Sequence, residues 1–135
     1  MNAELLQALR TMHRPDGWVS LGTIGKLGAP HVTPVMMGVR DDVLLFSLTG
    51  KQKKRNIERD ARVCVSLSRP SDLAHVIVWG DMELRHDAEA QALWDGLIEG
   101  AFGPEGLAAR RRTLSLDGTS LGVLTPRRHR LYKVT

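Results

Sequence analysis

The sequence predicts a mainly β domain in which about six antiparallel strands close into a small barrel with flanking helices. Three observations predict it. Short apolar runs with turn residues between them recur from Trp18 onward, as in successive hairpins. Helical periodicity or capping signals are confined to the start, the middle and the segment after the fifth strand. A chain of 135 residues is long enough for one core, and a sheet this small avoids exposed edges by closing on itself.

The opening segment sets Leu5, Leu9 and Met12 at spacings of four and three with Leu6 beside them, which predicts an amphipathic helix ending before Pro15 in the turn "RPDG". Two hairpins follow, built from "WVSLGTIG", "HVTPVMMGVR" and "VLLFSL" with "LGAP" and "DD" as their turns. The last of these lacks polar alternation until its end, the pattern of a strand covered on both faces. Lys51 to about Arg59 is expected to be a short helix after the "TG" turn. The strands "RVCVSLS" and "HVIVWGDMELR" come next, and in the second Val76, Val78, Met82 and Leu84 share one face while Asp81 and Glu83 share the other. Asp87 is the expected N-cap of a helix whose apolar stripe is Leu93, Trp94, Leu97 and Ile98, with Gly100 as its expected stop. "PEGLAARRR" predicts a further short helix with Pro104 in its first turn. "LGVLTPRRHRLYKV" predicts a final strand pair or one strand bent near Pro126. The whole, residues 1–135, is expected to be one domain.

Composition narrows function. Hydrophobic residues make up 42% and charged residues 25%, and no apolar run approaches the roughly 18 residues of a membrane span. The N-terminal stretch shows no secretory pattern, which predicts a cytosolic protein. The single cysteine, Cys64, allows no internal disulfide and no thiolate metal cluster, and it is expected to be an ordinary strand residue. No metal site is expected. Net charge is +4, concentrated in residues 51–59, in Arg110 to Arg112 and in "PRRHR".

The densest charge is "TGKQKKRNIERDAR", with four basic side chains between Lys51 and Arg55. Lysines in a first helical turn add to the positive end of the helix dipole and are disfavoured there unless an anion is present. Unpaired first-turn amides beside ammonium groups form a phosphate pocket. From the residues alone, such a pocket and a solvated helix face both remain open. Nucleic acid is the less fitting phosphate, because aromatics are only 4% and none lies between Phe46 and Trp79 to stack on bases.

The order "LGTIGKLGAPHVTPV", "DDVLLFSL", "TGKQKKRNIERDARV", "VCVSLS", "HVIVWGDMEL" resembles the pyridoxamine 5'-phosphate oxidase-like family of split β-barrel flavoproteins. Within it the chain is similar to the branch that uses the deazaflavin coenzyme F-420. The most specific part is the pattern supplied by Lys51, Lys53, Asn56, Ile57, Arg59, Asp60, Arg62 and Val63, with Ala61 where the family usually has proline. The resemblance implies an FMN-binding-like split barrel and a homodimer with the cofactor between two barrels. It implies that Lys51 and Lys53 hold the cofactor phosphate, that Asn56 supports that loop, and that Thr49 and Ser47 approach the phosphate or ribityl chain. Pro34 and Val35 would lie against the ring. The implied activity is hydride transfer from reduced deazaflavin to a small electron-poor substrate. FMN is the alternative cofactor, and a non-enzymatic haem, tetrapyrrole or nucleotide binder is the alternative function.

Two histidines, His31 and His75, open strands that reach toward such a groove and are candidate proton donors, although strand-end histidines without a role fit the pattern as well. His13, His86 and His129 are expected to be solvated, and Trp79 to pack at a subunit interface. No side chain is assigned a catalytic role.

Overall fold

A computed structural model describes residues 1–113 and 119–134. Three helices and six strands follow in the order α1 (Ala3–Met12), β1 (Trp18–Ile24), β2 (Pro30–Arg40), β3 (Val43–Thr49), α2 (Lys51–Arg59), β4 (Arg62–Arg69), β5 (Ala74–Arg85), α3 (Ala88–Thr113) and β6 (Thr119–Tyr132). The strands are antiparallel and close into a barrel in the order β1-β2-β3-β6-β5-β4. No helix among the described residues is long and apolar enough to cross a membrane.

Strand alternation divides the apolar residues between two cores. Leu21, Val35, Met37, Leu44, Phe46, Leu48, Val65, Val76, Val78 and Leu124 point into the barrel and are almost fully buried. On the outer face Met36, Leu45 and Leu121 meet Ala90, Trp94 and Ile98 of α3, which makes a second core. β3 therefore contributes to both cores, which accounts for its unbroken apolar run.

The helices close the ends. Leu5, Ala8 and Leu9 of α1 enter the barrel core at the end where β1 begins. Asn2 caps α1 through its side chain, which accepts from the amides of Glu4 and Leu5 at 2.8 and 3.1 Å. At the opposite end α2 buries Asn56 and Ile57. Met82 N–H donates to the Ala61 carbonyl at 2.9 Å, so the chain leaving α2 is held against β5.

One expectation changes. α3 does not stop at Gly100. It turns at Gly103, where φ is +75°, and Pro104 begins a second arm that folds back so that Arg111 pairs with Asp95. Gly103 is the residue free of the left-handed penalty at that corner. Of the two expectations for the C-terminal segment, the single strand irregular near Pro126 holds: it shifts register where Trp79 and Gly80 of β5 meet Arg128 and Pro126. A Cβ on Gly80 would come within 2.3 Å of the Thr125 carbonyl oxygen, so the two backbones touch at this bulge.

Candidate cofactor site

Thr49 ends β3 and Gly50 turns the chain into α2 with φ +90°. No side chain caps α2, so its first-turn amides have no side-chain partner. Lys51 is exposed at the first helical position. The Lys53 ammonium folds back and donates to the Thr49 carbonyl. Its pKa is lowered, first by burial and then by the neighbouring Lys54 charge. The first turn of α2 thus carries two lysines at the positive end of a helix dipole. An anion at that turn would be favoured by the dipole and by either ammonium group.

Asn56 holds this corner to the barrel. It is fully buried, donates Nδ2 to Thr23 Oγ1 at 3.0 Å and accepts from Gln52 Nε2 at 2.8 Å. Both polar groups of its side chain are engaged, so its role is to position α2 on β1. Beside Thr23 on β2 lies His31, and two residues on lies Thr33 opposite Leu21. His31 Nδ1 and Thr33 Oγ1 are buried with no hydrogen-bond partner among the described residues.

β2 is paired on both sides for only part of its length. Its ladder with β3 runs from Met36 to Arg40, while residues 30–35 pair with β1 alone. Extending the β2–β3 register by two residues would set Pro34 opposite Thr49 across the resulting gap. Pro34, which has no N–H to give, is exposed on the outer face. Val35 points the other way: its side chain is 2% exposed inside the barrel, leaving only its backbone to face a ligand.

Ser47 reaches under α3. Its hydroxyl accepts the Trp94 indole N–H at 2.8 Å, beneath α3. Lys53 and Thr49 are therefore brought together, Lys51 is exposed at the start of the same turn, Asn56 braces that turn, and the extended register sets Pro34 opposite Thr49. His75 stacks on Tyr132 with ring centroids 4.9 Å apart, and Trp79 lies under the Arg128 guanidinium at 4.1 Å. His13, expected in solvent, is half-buried with Nε2 2.5 Å from the Met37 carbonyl, because α1 delivers it onto β2. Gln52, Thr23 and Trp94 are the polar partners that sequence reasoning missed. Gln52 was visible as the residue one helical turn before Asn56, but nothing local announces Thr23 or Trp94 as partners.

The family model described as "Pyridoxamine 5'-phosphate oxidase" matches residues 5–119. No curated protein matches the chain. Among solved structures, an F420 reductase is 23% identical with a TM-score of 0.70, covering 90% of this chain and 94% of its own. A conserved hypothetical protein from Mycobacterium tuberculosis is 24% identical with a TM-score of 0.76, covering 98% and 84%. A heme binding protein from Mycobacterium smegmatis is 20% identical with a TM-score of 0.71. That match takes in 98% of this chain and 55% of the other. At these identities the likeness is one of fold.

Proposed function

We propose a deazaflavin-dependent oxidoreductase, and the premise is membership: the chain belongs to the pyridoxamine 5'-phosphate oxidase family. The observation that carries the reading is the cationic corner at the start of α2. Lys51, Lys53 and the uncapped first-turn amides suit a phosphate, and the gap beside Pro34 gives a flat ring a shelf of main chain to lie on. When bound, the reduced deazaflavin supplies a hydride to an electron-poor double bond or imine. The residues of this chain bind and orient. Lys51 and Lys53 would hold the phosphate, Asn56 fixes the helix that carries them, and Pro34 with the Val35 backbone would line the ring. No side chain is assigned the proton.

A homodimer belongs to the same reading. Trp18 and Val32 are 67% and 66% exposed on the outer faces of β1 and β2. By register Val32, Gly22, Cys64 and Trp79 form one row across four strands. Such a surface is suited to a partner. A second copy placed there would roof the gap and exclude water from the ring.

The test is a titration of the purified protein with FMN and with oxidised coenzyme F-420, followed by tryptophan fluorescence. Tighter binding of the deazaflavin is expected. Binding of FMN alone would move the assignment to a flavin enzyme of the same fold, and binding of neither would remove the phosphate corner from function. Sedimentation of the same sample is expected to give twice the mass of the chain.

A further inference from the structure

A groove between α3 and the β2–β3 hairpin lies at the far end of β3 from α2 and plays no part in the cofactor reading. It encloses about 610 Å3, within the range of small-molecule sites. Its shape comes from missing side chains. Leu93, Gly96, Leu97 and Gly100 share one face of α3, and a Cβ at either glycine would meet nothing within 4 Å. Gly38 does the reverse: a Cβ there would come within 2.9 Å of Leu97 Cδ1, so α3 leans on β2 beside an opening that the two helical glycines leave bare. The floor is apolar, made by Leu45, Leu93 and Leu97.

The rim is cationic. Arg10 from α1 and Arg40 from the end of β2 both line the groove. Neither makes an ion pair or side-chain hydrogen bond among the described residues. Asp41 is the one acid in the lining. His13 completes the wall. Its Nε2 must carry a proton to donate to the Met37 carbonyl, which only accepts, and this fixes the ring with its other nitrogen free.

We propose that this groove binds a small organic anion, an apolar body about the size of one or two rings bearing a carboxylate or sulfonate. The body fills the space above Leu45, Leu93 and Leu97, and the acid lies between Arg10 and Arg40, where guanidinium groups pair with two oxygens at once.

The probe is 8-anilinonaphthalene-1-sulfonate, titrated into the full chain by fluorescence beside its uncharged analogue N-phenyl-1-naphthylamine. Saturable one-to-one binding of the sulfonate is expected. Gly96→Leu, which fills the groove, should weaken both dyes about tenfold or more, and Gly100→Leu gives the same measurement should the first variant fail to fold. The pair Arg10→Ser and Arg40→Ser should weaken the sulfonate about tenfold and the neutral dye less than about twofold. Circular dichroism checks the fold of each variant, and FMN binding, followed in parallel, should not move. Absence of saturable binding, sulfonate binding that survives both leucine variants, or equal losses for the two dyes on removing the arginines would overturn the proposal. So would a fall in sedimenting mass with Gly96→Leu, which would make the groove a contact between copies.

Discussion

The indole N–H of Trp94 donates to the Ser47 hydroxyl at 2.8 Å, fastening α3 to the outer face of β3. Trp94 is 4% exposed, so both its ring and its polar edge are taken out of water. Trp94→Phe keeps most of the ring and loses the bond, and should cost about 1 kcal/mol in urea unfolding. Trp94→Ala should cost about 3–5 kcal/mol. Equal losses for the two would mean that the hydrogen bond contributes far more than an ordinary one.

Asn56 to Ala removes a buried donor and acceptor together and leaves Thr23 and Gln52 without their partner. A loss of about 2 kcal/mol is expected from thermal unfolding. Cofactor affinity should fall with it, since α2 carries the lysines. Unchanged affinity in a destabilised variant would separate the brace from the site.

Replacing Lys51 and Lys53 together with alanine should weaken cofactor binding by about 1.5–3 kcal/mol per lost charged contact while Tm holds or rises. A rise is physically reasonable, because Lys53 crowds like charge and sits under a burial penalty. Retained affinity for both FMN and the deazaflavin would detach the phosphate from this corner.

Asp60 accepts three hydrogen bonds from Arg62, two from its guanidinium and one from its backbone amide. The side-chain bond to Arg62 is the largest cause that brings its carboxyl down to about 2. A carboxyl lowered on folding stabilises the fold at pH above its unfolded value, and that stabilisation fades as pH falls toward about 2. Asp60→Asn should therefore lower Tm at neutral pH and match the parent near pH 2. A Tm difference independent of pH between 2 and 7 would contradict the assignment.

Gly80→Ala drives a methyl group into the Thr125 carbonyl oxygen. Overpacking of this kind should cost about 1–3 kcal/mol, read as a lower urea midpoint at unchanged slope.

The order of strands and the start of α2 were legible because turns and alternation are local properties. Asp87 also behaved as its position suggested: it accepts from the Ala90 amide at 2.7 Å and caps α3. Gly100 misled because a glycine inside a helix resembles a stop, whereas the true break needed the positive φ of Gly103 followed by proline. The bond from Trp94 to Ser47 and the inward turn of Val35 were invisible in sequence. Each depends on which face of a strand meets which neighbour, and here the partner lies 47 residues away.

Along residues 30–35 one side of β2 has no strand beside it. A ligand beside that edge would meet amides and carbonyls, whose chemistry is the same whatever side chain is attached. Contacts made through the main chain there would depend little on which side chains the stretch carries, while a further proline would remove one donor outright.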